Sequence, residues 1–298
     1  MKYGFIGVGK MGGAILRGLL DSGKIDRDDV LICGRDPEKT KRIADALGVK
    51  AVGSKQELTQ ASDVIMIGVE PKAFPDVMPL VAKAYQTNKV LISMAAGVTI
   101  ESIESYLPDG AKVVRIMPNA PARVGEIMAS VSPNKNVTKD EADMVVGLLS
   151  GMGKAVIVPE DLISAVIGVS GSSPAYTYMY IRALAEEAVK YGMDEQAALT
   201  FAAQAVLGAA KIVLTECSAD QNPLSSARLD QNPHGSEHSD KEPDHSSAAK
   251  LNEMIDAICT PGGTTIEAVK TLNENRFEEI VRKGAEAAIE KSIRMSKK

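Results

Sequence analysis

Hydrophobic and polar positions follow two regimes along this chain, and the change falls near residue 160. Before it, short β-rich runs alternate with stretches of helical spacing. The runs are Val30-Leu31-Ile32, Val64 to Val69, Val90 to Met94, Lys112 to Met117 and Ala155 to Val158. That alternation predicts a parallel, doubly wound sheet. After Pro159 the pattern is almost purely helical. Ser172-Ser173-Pro174 marks a helix start, the helix runs to Tyr191, and Gly192 stops it. Asp194 then caps a second helix from Glu195 through Leu214. Both are rich in alanine and apolar on more than one face, which predicts burial on several sides, with a second protomer as the natural cover. Tyr176, Tyr178 and Tyr180 read as core and interface rather than as chemistry.

The first residues place a glycine turn in a particular context. Lys2 to Ile6 reads as a strand, Gly7-Val8-Gly9-Lys10-Met11-Gly12 as a turn, and Ala14 to Leu20 as a helix. A G-x-G-x-x-G between strand and helix is a dinucleotide fingerprint: the first glycine allows the tight turn, the second lets pyrophosphate approach, and the third permits close helix packing. The next strand ends in Cys33-Gly34-Arg35-Asp36. An NAD-preferring fold usually places an acid there for the ribose 2′-hydroxyl. Here Gly34 and Arg35 stand in that place, and a guanidinium suits a 2′-phosphate, so the expected cofactor is NADPH, with NADH possible. Asp36 and Glu38 also allow Arg35 to be a plain surface charge. In such sheets ligands bind beyond the carboxyl ends of the strands, which singles out Glu70-Pro71-Lys72, Ala95-Ala96-Gly97-Val98-Thr99 and Pro118-Asn119-Ala120-Pro121. Small residues after Met94 would let a flat nicotinamide lie against the backbone; each segment alone also suits an ordinary turn. The fold class is therefore α/β, with an N-terminal Rossmann-type, mostly parallel sheet over 1–160 and an all-helical dimerisation domain over 161–298.

The 298 residues are 45% hydrophobic and 24% charged, enough for a full core in about two domains. No run approaches the ~18 apolar residues of a membrane span, and no charged-then-apolar leader is evident, so a cytoplasmic location and no membrane partner are expected. A formal charge of −5 gives no basic patch for nucleic acid. Cys33, Cys217 and Cys259 are odd in number and widely spaced, indicating neither a disulfide framework nor a metal site. Residues 218–248 hold few large apolar side chains and read as a mobile polar insertion. It contains all three histidines, His234, His238 and His245, at no metal-site spacing, so no metal is expected.

Near the C-terminus, Thr260-Pro261-Gly262-Gly263-Thr264-Thr265 precedes another helical pattern. Pro261 suits a helix start, the glycines allow backbone close to a ligand, and free N–H groups there favour an anion.

Taken in order, Gly7 to Gly12, Ala95 to Ile100, Arg115-Ile116-Met117-Pro118-Asn119, Val169 to Tyr176 and Pro261 to Ile266 resemble the pyrroline-5-carboxylate reductase family over nearly the whole chain. The resemblance implies interlocked dimers that can stack into decamers, and reduction of 1-pyrroline-5-carboxylate to proline. It implies NADPH contacts from Ile6, Gly7, Val8, Gly9, Lys10, Met11, Gly34, Arg35, Val69, Pro71, Lys72, Ala95 and Ala96. Substrate carboxylate would be held by Thr260, Gly262, Gly263 and Thr264, and Thr265 would hydrogen-bond the ring nitrogen as the catalytic residue. The chain departs from the family at Glu70 for a lysine, Lys55 for an asparagine, Ala120 for a threonine, Ser173 for a glycine and Thr260 for a serine, and in the insertion itself. Glu70 would put negative charge near the cofactor. Two other readings stay open: a β-hydroxyacid dehydrogenase using Lys190 or Lys211, and a regulatory dinucleotide-binding protein without turnover.

Overall fold

The computed structural model describes residues 1–216 and 246–296. They form two compact units, Met1–Pro174 together with Ala285–Lys298, and Ala175–Gly284. The first is built on one sheet of strands β1 (Tyr3–Ile6), β2 (Val30–Cys33), β3 (Lys50–Ala51), β4 (Val64–Ile67), β5 (Val90–Ser93), β6 (Lys112–Met117), β7 (Ile127–Pro133) and β8 (Gly153–Ile157). Their order is β3-β2-β1-β4-β5-β6-β7-β8. From β1 to β6 all neighbours are parallel. The order of those six is the doubly wound one that leaves a crevice between β1 and β4, where successive connections change direction.

Six helices accompany the sheet: α1 (Lys10–Asp21), α2 (Pro37–Leu47), α3 (Lys55–Ala61), α4 (Phe74–Ala82), α5 (Ile100–Glu104) and α6 (Lys139–Leu149). Because side chains alternate along a strand, each strand feeds two cores. Phe5, Ile32, Met66 and Ile92 pack with Ile15, Leu16 and Leu19 of α1 and Leu148 of α6. Ile6, Ile65, Ile67 and Leu91 pack with Leu58 of α3, Met78 of α4 and Ile103 of α5. The double burial explains why these strands show as continuous apolar runs.

Three strands differ from the sequence expectation: the two-residue β3 was not anticipated, and β7 and β8 break the parallel order. β7 was not anticipated, and it runs antiparallel to β6; β8 pairs parallel with β7 and so also opposes the first six. The physical reason is the connection. Between β6 and β7 lies only a 3-10 turn, Ala120–Val124, ending at Gly125 in the left-handed region, and a parallel crossover needs about a dozen residues. α6 does provide that length between β7 and β8.

Beyond the sheet come α7 (Ile163–Val166), a π-helical turn Ile167–Gly171, α8 (Ser173–Lys190), α9 (Glu195–Glu216), α10 (Ser246–Ile258), α11 (Thr264–Glu274) and α12 (Phe277–Ser296). Asp194 accepts from the Ala197 N–H at 3.0 Å, and Gly192 has φ +92°, so the cap and the stop lie where the sequence put them. Among the described residues the core of the second unit is small: Ala185, Ala198 and Ala202, with Ile181 and Ala188 against them. Large apolar side chains there remain exposed, Phe201 at 69% and Tyr178 at 64% among them. α9 also corrects the expectation about membrane spans, since by length and mean hydropathy of 1.7 it could cross one. Its alanines raise the average without forming an unbroken run of large apolar residues. The proposed insertion 218–248, with the three histidines and Cys217, lies almost wholly outside the described residues.

Candidate active site

The glycine turn is organised by backbone contact. Gly7 has φ +90°, a conformation that disfavours a side chain. Its N–H donates to the Cys33 carbonyl at 2.9 Å, and Gly68 N–H donates to the Ile6 carbonyl at 2.8 Å. A Cβ on Gly12 would stand 2.5 Å from the Gly7 carbonyl oxygen, and one on Gly68 would stand 2.6 Å from the same atom. Three backbones therefore meet at the carboxyl ends of β1 and β4. At Gly9, by contrast, an added Cβ meets nothing within 4 Å. Gly9 is the N-cap of α1 with no side-chain cap bond, so the first amides of α1 open onto that space. Constriction at Gly7 and Gly12 with clearance at Gly9 is what a bound pyrophosphate requires.

Around this turn lie the other residues named for the cofactor. Ile6 is buried, Val8 and Met11 half-buried, and Lys10 exposed. A cavity of about 1030 Å³ runs from Val8, Gly9 and Lys10 along α1 past Arg17, with Arg123 on its other wall. After β2, Gly34 is half-buried and a Cβ there would meet Thr40 Oγ1 at 2.4 Å, so the usual acidic side chain has no room. Arg35 is exposed. Asp36 is committed elsewhere: its carboxylate accepts from the Lys39 N–H at 3.0 Å and caps α2. After β4, Val69 is half-buried while Pro71 and Lys72 are exposed. Lys72 Nζ sits 2.7 Å from Glu70 Oε2. That bond holds the Glu70 carboxyl below its ordinary value, and the positive charge of Arg35 adds to the shift. Glu70 is thus part of an exposed ion pair rather than a bare negative charge. After β5, Ala95 is buried and Ala96 exposed. Burial pushes the Cys33 thiol up, which suits an inert packing role.

The second glycine turn belongs to the helical unit and is described by itself. Thr260 to Gly263 form a β-turn: Gly263 N–H donates to the Thr260 carbonyl at 3.0 Å, and Gly262 has φ +75°. Proline second and a left-handed glycine third is the type II arrangement. Pro261 is therefore a turn residue, not the first residue of the helix as its sequence position suggested. Gly263 is the N-cap of α11, again with no side-chain cap bond. Thr264 and Thr265 open that helix; Thr265 is half-buried, Thr260 and Thr264 exposed. A Cβ on Gly263 would stand 2.6 Å from Thr260 Oγ1, so glycine keeps the hydroxyl against the turn. Free amides and hydroxyls at one helix start suit a carboxylate.

Comparison with known proteins places the chain in a family. Residues 160–295 match a family model described as pyrroline-5-carboxylate reductase dimerisation, and residues 2–97 match one described as NADP oxidoreductase coenzyme F420-dependent. The chain is 37% identical to the pyrroline-5-carboxylate reductase of Escherichia coli (strain K12), covering 99% of this chain and 98% of that one. The chain belongs to the pyrroline-5-carboxylate reductase family. The reductase of Methanosarcina acetivorans is 32% identical over 100% of this chain and 98% of its own. Among solved structures, the pyrroline-5-carboxylate reductase of Coxiella burnetii superposes with a TM-score of 0.81 at 26% identity, covering 100% and 99% of the two chains. The Plasmodium falciparum enzyme with NADP bound does so at 0.78, with 26% identity and 99% and 98% covered.

Sequence reasoning passed over several residues that organise the site. Gly68 completes the three-backbone contact, and only its place at the end of an apolar run hinted at this. Asn119 was noted for following β6 and as the end of a family motif, with no role given; its amide donates to Ser170 Oγ at 3.2 Å, and its carbonyl oxygen accepts from Met128 N–H at 2.9 Å. Arg115 carried a clearer signal: a charge inside an apolar strand must find a partner.

Proposed function

We propose that this chain is a pyrroline-5-carboxylate reductase, converting 1-pyrroline-5-carboxylate to L-proline at the expense of NADPH. The observation that carries the reading is the likeness to the Escherichia coli reductase, 37% identical along 99% of this chain and so spanning both glycine turns. The fit of the first turn supports the cofactor: clearance at Gly9, no acid at Gly34 and a cation at Arg35 favour a dinucleotide bearing a 2′-phosphate. NADPH supplies the hydride.

The chain's own residues bind, orient and polarise. Gly7 to Met11 hold the pyrophosphate, Arg35 grips the 2′-phosphate, and Val69, Pro71, Lys72, Ala95 and Ala96 line the cofactor toward the nicotinamide. Amides of Gly262, Gly263 and Thr264, with the Thr260 hydroxyl, receive the substrate carboxylate. The Thr265 hydroxyl hydrogen-bonds the ring nitrogen, which has taken a proton from solvent before the imine carbon receives hydride, so that imine, NADPH and one proton give proline and NADP+. A protonated imine is already electrophilic, so orientation and electrostatics carry the acceleration. The dinucleotide part is residues 1–160 and the helical part 161–298, and the working form is a cytoplasmic homodimer whose exposed α9 surface lies against its partner. Purified protein should oxidise NADPH only when pyrroline-5-carboxylate is supplied, forming one proline per NADPH. NADPH binding without proline formation would instead indicate a regulatory protein.

A further inference from the structure

A buried polar layer lies at the carboxyl edge of the sheet, and the scheme above leaves it unused. Arg115 of β6 is 3% exposed, between Val114 and Ile116. Its register neighbours are Ser93 of β5 and Ser132 of β7, both buried. Arg115 Nη1 donates to Glu160 Oε1 at 2.8 Å. The same oxygen accepts the backbone N–H of Ile100, also at 2.8 Å. Ile100 opens α5, and the loop before it, Ala95 to Thr99, is the one that follows β5. The other end of that loop is held as well, since Ala95 N–H donates to Ser93 Oγ at 3.3 Å.

Burying a charge such as Arg115 beside a half-buried carboxylate is a poor route to stability, because desolvation offsets much of the attraction. What the pair does provide is direction. One carboxylate oxygen joins a side chain rooted in the sheet to the first amide of the helix after the loop. We propose that Arg115 and Glu160 are positioning residues that fix the Ala95 to Thr99 loop, and through it the distance between nicotinamide and substrate. The inference rests on the assignment of Ala95 and Ala96 to the nicotinamide in the proposed reductase reaction. Glu160 also begins the segment that leads from the sheet to α7, so a single side chain ties the cofactor loop to the start of that segment.

The test compares wild type, Glu160→Gln and Glu160→Ala in the full chain. The glutamine keeps an acceptor for Ile100 but no charge for Arg115; the alanine keeps neither. Misplacement of reacting groups by a fraction of an ångström to about 1 Å lowers rate by roughly 10- to 100-fold. The expected order of kcat per folded protomer is therefore wild type, glutamine, alanine, with the alanine variant in that range and the NADPH Kd little changed. The primary isotope effect from 4-deuterated NADPH should rise in the same order, as hydride transfer becomes slower than product release. Hydrogen exchange at the Ile100 amide should quicken in the alanine variant whether or not substrate is present. A purely structural role predicts lower melting temperature with unaltered kcat and isotope effect, and that result overturns the proposal. If the alanine variant does not fold, unaltered kcat and isotope effect in the glutamine variant overturn it equally. A wild type that never reduces the imine overturns the reductase reading and this proposal together, whereas active wild type with unaffected variants removes the proposal alone.

Discussion

Individual glycines in the fingerprint have separable duties. Gly12 is closed off by the Gly7 carbonyl, while Gly9 faces open space, although the sequence writes both with the same letter. Gly9→Ala should leave the melting temperature unchanged, because its methyl meets no protein atom. It should weaken NADPH by about 1 to 3 kcal/mol, roughly 5- to 150-fold in Kd, as the methyl intrudes on the pyrophosphate. Titration of NADPH fluorescence alongside a thermal melt checks both halves. Gly12→Ala should instead lower the melting temperature, since a backbone atom must move. At Arg35 the expected result is a selective loss: Arg35→Ala should cost NADPH about 1.5 to 3 kcal/mol, the worth of a hydrogen bond to a charged group, and NADH much less. Equal losses for the two cofactors would make Arg35 a surface charge. The sequence exposed the fingerprint and the missing acid at Gly34, because both are matters of residue type at fixed spacing. What spacing alone did not show is the pairing of Glu70 with Lys72, which the 3-10 turn brings together.

Among the elements, most of the sheet was legible as apolar runs, and two strands were not. β3 has only two residues and no pattern to read. β7 was hidden by its small polar residues: Ser130 and Ser132 are buried beside Arg115 and Met117, so the strand lacks the apolar signature of its neighbours. Turn chemistry produced the shift at Pro261, which serves a β-turn two residues before the N-cap of α11. α6 was visible only as helical spacing, yet its start is strongly built. Thr138 and Glu141 form a reciprocal capping box, and Lys112 of β6 donates to Glu141 at 2.6 Å. Burial raises the Glu141 carboxyl, and the bonds from Lys112 and Thr138 outweigh it, leaving the group below its ordinary 4.5. A folded value below the unfolded one gives stability that is present above pH 4.5 and lost as pH falls through the lower folded value. Glu141→Gln keeps the cap but not the charge, so it should cost up to about 1 kcal/mol at neutral pH. It should also flatten the acid side of the stability profile below pH 4.5, as read by chemical denaturation at several pH values. An unchanged profile would show that Lys112 adds nothing.

For the whole molecule, the helical part is where sequence and structure ask for something outside one chain. α9 is apolar enough by composition to cross a membrane, yet residues 160–295 match a dimerisation domain, and that gives its exposed side chains a place to go. Phe201→Glu should therefore reduce dimer content in analytical ultracentrifugation and make the melting temperature depend more steeply on protein concentration. Wild-type protein that sediments as a monomer, or partitions into vesicles, would contradict the assignment of this surface. The alanine-rich periodicity showed that these helices need cover; it could not show what covers them, because interface and membrane select similar residues. The same limit applies to the reaction itself, since two glycine turns distant in sequence acquire a joint meaning only through the proposed reaction, in which one holds cofactor and the other substrate. Initial rates of NADPH oxidation with pyrroline-5-carboxylate, measured for wild type and Thr265→Ala, test that joint meaning most directly. The expected result is substrate-dependent oxidation by wild type and a roughly 10- to 1000-fold lower kcat in the variant with NADPH affinity preserved; no imine-dependent oxidation by wild type, or full turnover in the variant, would contradict it.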